Sequence, residues 1–318
     1  MTPMRRFFAY LTAFIREDFN LRLYAGTAAF VTAMTAFNYA VDLEDGIIDK
    51  HRGEVLRFWL YAGLDAFMYY SVTVFWLLAN RQLSILKTAR FWLFSLAAIG
   101  VLAWWQDYTG YSKVVGLPVF GEIYSFAHYC FSNLSSALTV WVPFAVFYVL
   151  VDRQPSHFYG FRPDWLSLKM YGILLLLMVP LIAWASFQPS FLQTYPIYKG
   201  WGAALALHWP EWIPAVIFEL CYGFDFISTE LIFRGFLIIG MMQVVGRGAV
   251  LPMVAVYATV HFGKPLGETI GSVFGGYILG VLAYQSRTIW GGIAIHLGVA
   301  WLMELGAFLQ SFVHSPEK

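Results

Sequence analysis

The fold of this chain is decided by the stretch from Trp212 to Val245, WIPAVIFELCYGFDFISTELIFRGFLIIGMMQVV. A helix that crosses a bilayer needs roughly 17–25 predominantly apolar residues, so this stretch is longer than one straight span requires. It also carries Glu219, Asp225, Glu230 and Arg234 among its apolar residues. A charge at membrane depth is costly and persists where it is paired or faces a wet cavity. We therefore expect a long, tilted or broken helix inside a membrane protein.

The composition of the whole chain points the same way. Of its 318 residues, 59% are hydrophobic and 12% are charged, whereas a soluble domain carries about 25% charged residues. A water-soluble domain of this size could not bury so much apolar surface. The net charge of +1 gives no basic footprint for nucleic acid, so the expected partner is membrane lipid and not nucleic acid. Cys130 and Cys221 have apolar neighbours, and we expect core thiols.

Further apolar stretches predict more spans, about eight or nine in all. The predicted fold class is therefore all-α, a polytopic bundle of transmembrane helices. Outside the first stretch, the candidate spans are Leu23–Val41, Phe58–Ala79, Phe91–Gln106, Leu134–Val151, Met170–Phe187, Leu251–Phe262, Thr269–Ser286 and Ile289–Phe312. In Thr269–Ser286, two glycine pairs at four-residue spacing (Gly271 with Gly275, Gly276 with Gly280) predict close helix packing.

The chain is predicted to divide into three parts. Residues 1–20 form an amphipathic segment with arginine beside phenylalanine, which suits a helix on the membrane surface. Residues 21–164 hold the N-terminal transmembrane helices, with one midspan charge at Asp65. Residues 165–312 form a C-terminal core, in which the other ionisable residues at membrane depth are concentrated. The distribution of Lys and Arg between alternate loops predicts a cytoplasmic N-terminus.

Four residues of the core could carry chemistry. Glu230 and Arg234 are four residues apart, so they share a helix face and can form an ion pair that only locks helix packing. His261 and His296 lie on two separate short spans that follow. A carboxylate with an imidazole can activate water, and a second imidazole can stabilise an oxyanion. The same groups could bind zinc, although the HExxH spacing of a helical zinc site is missing.

At these residues the chain resembles a known family, the CPBP (CAAX protease and bacteriocin-processing, or Abi) intramembrane proteases. The segment Thr229-Glu-Leu-Ile-Phe-Arg234 is similar to the family's first motif, EExxxR. Tyr257-x-x-x-His261 is similar to the second, FxxxH, and His296 falls where the third, HxxxN or HxxxD, begins. The resemblance covers roughly residues 165–312 and implies a CPBP-like intramembrane protease core.

The resemblance implies a glutamate-dependent endopeptidase that is buried in the membrane. The glutamate of the first motif and His261 would activate water, His296 would hold the oxyanion, and Arg234 would support the glutamate. No cofactor and no metal is expected, and the expected partners are lipid and a peptide or protein substrate. Because many members are bacterial, the expected location is the bacterial cytoplasmic (inner) membrane.

Two positions depart from the family pattern. Thr229 stands where the first glutamate of EExxxR is expected, and Ala300 stands four residues after His296 in place of Asn or Asp. A threonine hydroxyl is not a base near neutral pH, so another carboxylate would have to act. Glu230 is adjacent, and Asp225 lies one helical turn before Thr229 on the same face. The hypothesis is that Asp225 or Glu230 acts as the base with His261.

The sequence leaves three classes of function open. The first is an intramembrane endopeptidase that hydrolyses a peptide bond with carboxylate- and histidine-activated water. The second is a catalytically silent member of the family with an immunity or peptide-binding role. The third is a proton-coupled transporter, since intramembrane carboxylates and histidines also form proton relays. A transporter would predict related halves, and the sequence has no convincing internal repeat.

Overall fold

The computed structural model of the chain describes residues 2–110, 112, 121–153, 157–200 and 202–314. Throughout these residues the regular structure is helical, as backbone hydrogen bonding inside a lipid bilayer demands. The α-helices are α1 (Pro3–Asp18), α2 (Leu21–Val41), α3 (Val55–Ala79), α4 (Ala89–Asp107), α5 (Glu122–Leu134), α6 (Val142–Phe147), α7 (Trp165–Ala185), α8 (Pro189–Thr194), α9 (Ala203–Leu207), α10 (Trp212–Glu230), α11 (Met242–Val245), α12 (Val250–Thr259), α13 (Leu266–Ser286) and α14 (Trp290–His314). Segments of π-helix are Leu43–Ile48, Ala137–Trp141, Tyr148–Asp152 and Leu231–Gly240.

Within the described residues, six helical stretches are long and apolar enough to cross a membrane. They are Val55–Ala79, Ile123–Asp152, Leu168–Ala185, Trp212–Thr259, Leu266–Ser286 and Trp290–Gln310. The predicted all-α membrane bundle is thereby confirmed. The predicted spans Leu23–Val41 and Phe91–Gln106 are the helices α2 and α4, which lie outside these six.

The stretch that opened the sequence analysis is long and interrupted, as expected. Helix α10 passes at Leu231 into a π-helix that ends at Gly240, and α11, a 3₁₀ turn and α12 follow. A π-helix closes its hydrogen bonds from i to i+5, is rare in proteins and is frequently found at functional sites. The change from α-helix to π-helix therefore occurs between Glu230 and Arg234, inside the first motif.

The chain forms two compact units. Unit 1 contains residues 1–107, 142–164 and 230–290, and unit 2 contains residues 108–141, 165–229 and 291–318. At the centre of unit 1 lies α12, in which all ten residues are buried. It packs against α2, α3, α13 and the π-helix Leu231–Gly240, which explains why its apolar residues surround the helix and do not form one stripe.

Glycines of α13 allow the close approach of α12. A Cβ atom at Gly276 would lie 2.9 Å from the Tyr257 ring, and one at Gly280 would lie 2.7 Å from the Met253 side chain. Gly271 and Gly275 have no such neighbour within 4 Å among the described residues. Of the two glycine pairs singled out in the sequence, the second therefore lets side chains of α12 lie directly against the backbone of α13.

The amphipathic N-terminal segment packs one face on unit 1. Phe14 of α1 is fully buried, with its ring 5.3 Å from the Tyr284 ring of α13. The next turn ends at the buried Asp18, whose carboxylate accepts hydrogen bonds from the Trp76 indole and the Tyr24 hydroxyl, each at 2.9 Å. The opposite face, with Arg5 and Arg16, is exposed and is available to water or lipid headgroups.

In unit 1, the segment after α2 packs against the turn that follows α12. The Asn38 side chain accepts the Glu44 N–H at 3.2 Å and donates to the Phe262 carbonyl at 3.1 Å. The Glu44 carboxyl group also receives a backbone hydrogen bond from Gly263. Burial nevertheless raises the pKa of Glu44 to about 7, because removal from water disfavours the charged form.

In unit 2, α5 packs against α10. A cluster of buried residues joins them through Phe126, Cys130, Ala203, Phe218 and Cys221. Both cysteines are free thiols in apolar surroundings, as expected from the sequence. Ser228 of α10 donates to the Ser136 hydroxyl at 2.9 Å and accepts from the Trp141 indole at 2.9 Å.

Because Glu44 titrates near pH 7 in the folded protein and near 4.5 when unfolded, the folded state binds the proton more tightly. The free energy of unfolding should therefore fall as the pH rises from about 4.5 through 7, by roughly 1.4 kcal/mol per unit of pKa difference. Glu44→Gln should remove this part of the pH dependence. Thermal unfolding in detergent between pH 5 and pH 8 measures it. Glu17→Gln, at an exposed side chain, is the matched control and should leave the slope as in the wild type.

Candidate functional site

In unit 1 the site is built on a fully buried ion pair. Neither the Glu230 nor the Arg234 side chain has exposed surface, and a guanidinium nitrogen lies 3.1 Å from a carboxylate oxygen. The pair lies where α10 becomes the π-helix. Removal of one partner from a buried ion pair leaves an uncompensated charge and is strongly destabilising, so neither residue of this pair can be changed alone without a large loss of stability.

Tyr257 of α12 covers the guanidinium. The central carbon of the Arg234 guanidinium lies 4.3 Å from the centroid of the Tyr257 ring, a cation–π distance. Phe233 places its ring edge-on against the same tyrosine at 4.9 Å, and Gly276 leaves the space that the ring occupies. The tyrosine ring is thus held from both sides by residues of unit 1.

His261 follows in the turn after α12, with its ring 4.7 Å from the Tyr257 ring. The Nδ1 atom of His261 lies 2.9 Å from the backbone carbonyl oxygen of Tyr257. A carbonyl oxygen only accepts, so Nδ1 must carry the hydrogen. In the neutral imidazole the basic lone pair then resides on Nε2. The contact orients the ring and selects the nitrogen that can take up a proton.

Thr229, the first position of the first motif, and Asp225 one turn before it belong to unit 2. The Thr229 hydroxyl donates to the backbone carbonyl of Asp225 at 3.0 Å, a common way for threonine to satisfy its hydroxyl inside a helix. The Asp225 side chain is partly buried. At the first motif position the Thr229 hydroxyl therefore donates its hydrogen to a backbone carbonyl of its own helix.

His296 lies on α14 in the same unit as Asp225 and Thr229. Its ring is 4.7 Å from the Phe226 ring of α10, at an angle of 42°. The two helices approach closely one turn earlier, because a Cβ atom at Gly223 would lie 2.8 Å from the Leu297 side chain. Ala300, four residues after His296, is buried and offers no hydrogen-bonding group.

Glu304, eight residues after His296, has a different role from the one its spacing suggests. Its carboxylate accepts the backbone N–H groups of Ile197 at 2.7 Å and Tyr198 at 3.3 Å, and it also bonds to Glu219. The carboxylate thus fastens the segment before α9 to α14. Eight residues are close to two helical turns, so spacing alone would place Glu304 on the same face of α14 as His296.

Sequence reasoning missed a second polar contact in unit 1. Asp65 of α3 is fully buried, and its carboxyl oxygens lie 3.1 Å from the Thr259 hydroxyl and 2.7 Å from the Gln106 side-chain nitrogen. Thr259 is the last residue of α12, two positions before His261. The signal was present in the sequence, since Asp65 is the one midspan charge of the N-terminal helices, but its partner could not be read from spacing.

The alternative of a metal site finds no ready ligand set. In the part of the chain that the structure describes, no group of three or more His, Cys, Asp or Glu side chains is arranged to hold a metal ion. The chemistry that the described groups support directly is proton transfer by carboxylate and imidazole.

Part of the chain matches a known family model. Residues 209–302 match the family model described as Rce1-like, type II CAAX prenyl endopeptidase. The match confirms the CAAX protease resemblance, and it contains Glu230, Arg234, His261 and His296. No curated protein and no solved structure matches the chain.

The buried ion pair can be tested by stability. Arg234→Met should lower the free energy of unfolding by roughly 3–5 kcal/mol, because it leaves the Glu230 carboxylate buried without its cation. The double variant Glu230→Gln with Arg234→Met should be less destabilised than Arg234→Met alone. Thermal unfolding in detergent compares them.

The exposed pair Arg247–Glu17, with a nitrogen–oxygen distance of 3.0 Å, supplies the matched control. Arg247→Met should cost less than about 1 kcal/mol. A double variant at Glu230 and Arg234 that is no more stable than Arg234→Met would contradict the assignment of the loss to an orphaned charge.

Proposed function

From its Rce1-like CAAX protease domain at residues 209–302, we propose that this integral membrane protein is an endopeptidase that hydrolyses a peptide bond within the membrane. Its catalytic residues are Glu230, His261 and His296, with Arg234, Asp225 and Thr229 in supporting or alternative roles. The observation that carries the proposal is the hydrogen bond between His261 Nδ1 and the Tyr257 carbonyl. It leaves Nε2 as the basic nitrogen of a histidine inside the matched segment.

The proposed reaction is a hydrolysis with activated water. Nε2 of His261 takes a proton from water while the water oxygen adds to the carbonyl carbon of the substrate. An oxyanion forms, and His296, which stands at the start of the third motif, donates a hydrogen bond to it. The imidazolium of His261 then gives its proton to the leaving amine as the carbon–nitrogen bond breaks. The role of His296 rests on motif order.

Two carboxylates, those of Glu230 and Asp225, remain candidates for the group that acts together with His261. Glu230 is in the same unit as His261. A chain of contacts connects the two residues: Glu230 forms an ion pair with the Arg234 guanidinium, which lies over the Tyr257 ring, and that ring contacts His261. Asp225 lies one turn before Thr229 and is the alternative. A substrate that enters through lipid would suit a site at membrane depth.

We also propose the setting of the reaction. The chain would reside in the bacterial cytoplasmic membrane with its N-terminus in the cytoplasm, as the distribution of Lys and Arg favours. Its substrate would be a membrane-associated peptide or protein. Prenylated CAAX tails are one class to test, since the matched family is described as prenyl endopeptidase.

Substitution of the catalytic residues should abolish cleavage. Membrane fractions from cells that express the wild type or His261→Ala would be compared by mass spectrometry of peptide termini. Peptide termini that appear with the wild type but not with His261→Ala identify candidate substrates. These substrates are then tested with purified protein. His261→Ala and Glu230→Gln should lower the cleavage rate by roughly 100-fold or more, the usual contribution of a positioned acid or base.

Asp225→Asn decides between the two carboxylates, since the partner of His261 should be the one whose amide variant is inactive. His157→Ala, at an exposed histidine, is the control and should cleave normally. Cleavage that survives His261→Ala, Glu230→Gln and Asp225→Asn, each tested alone, would refute the proposed mechanism.

The threonine at the first motif position gives a second test. Thr229→Glu restores the EE pair of the motif and adds a carboxylate where the family pattern has one. The cleavage rate should rise by about 10-fold or more, because a positioned carboxylate contributes 10²–10⁴-fold. Thr229→Gln, which has the same shape without the charge, should give no increase. Equal rates for the two variants, both folded, would show that this position does not take part.

The second candidate is a catalytically silent member of the family with an immunity or peptide-binding role. Two observations favour it: the Glu230 carboxylate is paired with Arg234, and the Thr229 hydroxyl donates to a carbonyl of its own helix. This candidate predicts that no peptide terminus depends on His261, while Thr229→Glu also stays inactive. The comparison of membrane fractions therefore separates the two functions.

A further inference from the structure

The turn that carries His261 is fastened by side chains from α13 and from two helices of the N-terminal half, α2 and α3. The carbonyl of His261 accepts a hydrogen bond from the Thr269 hydroxyl of α13 at 2.5 Å. The next carbonyl, that of Phe262, accepts from the Asn38 amide of α2 at 3.1 Å. On the other side of His261, the Thr259 hydroxyl lies 3.1 Å from the Asp65 carboxyl of α3. All of these residues belong to unit 1.

Among these residues, Asp65 has the side chain whose burial costs the most free energy. It is fully buried within the span Val55–Ala79, and among the described residues no Lys, Arg or His forms an ion pair with it. A buried carboxyl at membrane depth that serves only as packing would be disfavoured against an apolar side chain. Its two oxygens instead contact Thr259 on α12 and Gln106 on α4, so its position ties three helices together.

The hydrogen bonds indicate which form of the carboxyl is present. The Thr259 hydroxyl lies 2.7 Å from the Val256 carbonyl as well as 3.1 Å from Asp65, but it has one hydrogen to donate. The Val256 carbonyl can only accept. Every contact is satisfied when the Asp65 carboxyl is protonated and donates to Thr259, Thr259 donates to Val256, and Gln106 donates to the second Asp65 oxygen. A neutral carboxyl group also avoids an unpaired buried charge.

The consequence falls on His261. Helix α12 ends at Thr259, and the backbone N–H groups of His261 and Phe262 bond to the carbonyls of Ala258 and Thr259 at 3.1 and 3.0 Å. The direction of the His261 side chain is therefore set by where α12 stops. Thr259 is the residue at that end, and its hydroxyl is the group that Asp65 holds.

We propose that Asp65, as a neutral carboxyl group, is a positioning residue that fixes the end of α12 through Thr259 and thereby orients His261. The proposal rests on the proposed function for its catalytic meaning, but the orientation of His261 is a property of the resting protein. It assigns a part in the site to the N-terminal half of the chain, which lies outside the matched residues 209–302.

The test combines spectra of His261 with kinetics. In full-length protein labelled with ¹⁵N-histidine, the ring nitrogens of His261 are assigned by comparison with His261→Gln. Thr259→Val keeps the shape of the side chain and removes the hydroxyl, and Asp65→Leu removes the carboxyl. Both should shift or broaden the His261 signals. Thr259→Ser and Asp65→Asn, which retain a donor and an acceptor, should keep the spectrum of the wild type.

In the cleavage assay, Thr259→Val and Asp65→Leu should lower kcat by about 10- to 100-fold with little change in KM, since a misplaced catalytic group costs this much. Asp65→Asn and Thr259→Ser should have the kcat of the wild type. Ser95→Ala is the matched control: it removes the 3.0 Å hydrogen bond between Tyr70 of α3 and Ser95 of α4 without touching Thr259. It should leave both the spectrum and kcat unchanged.

Two results would overturn the proposal. The first is an unchanged His261 spectrum in folded Thr259→Val, a variant that stays informative if Asp65→Leu does not fold. The second is an Asp65→Asn variant as impaired as Asp65→Leu, which would mean that Asp65 acts as an ionised group. If the wild type cleaves nothing, the proposed function fails, while the spectra still decide whether Asp65 orients His261.

Discussion

A guanidinium without exposed surface has to be compensated inside the protein, and much of unit 1 is arranged around that requirement. Arg234 is paired with Glu230 at 3.1 Å and covered by the Tyr257 ring at 4.3 Å. The tyrosine in turn needs the space left by Gly276 and holds His261 through its carbonyl. Compensation of one buried charge thus orders the helix that bears the first motif, the helix that bears the second and the helix that packs behind it.

The contacts of the N-terminal half extend this arrangement. Family resemblance is confined to the C-terminal part of the chain, yet Asn38, Asp65 and Trp76 of α2 and α3 bond to the turn after α12, to its last residue and to the N-terminal helix. These side chains satisfy backbone, hydroxyl and carboxyl groups that lipid could not satisfy. The N-terminal helices therefore supply polar partners to a core whose own residues are mostly apolar.

Local patterns predicted the helices well and their ends less well. The span expected from Leu134 begins at Ile123, because α5 is followed after only two residues by the π-helix Ala137–Trp141, so that the apolar helical stretch starts one helix earlier. The ion pair of Glu230 and Arg234 followed from four-residue spacing. The link between Asp65 and Thr259 could not follow from any spacing, since the two residues are 194 positions apart.

The sequence by itself determined that the chain belongs in a membrane, that it is helical and that its C-terminal part resembles CAAX proteases, since composition, apolar run length and motif order are local properties of the chain. Only the tertiary structure decided how each polar group is used. Glu304 fastens backbone amides, Thr229 bonds to its own helix, and Nδ1 of His261 carries the hydrogen. The reason is that a buried polar side chain acts through the hydrogen-bond partners within about 3 Å. Which groups become those partners depends on the fold and not on the local sequence.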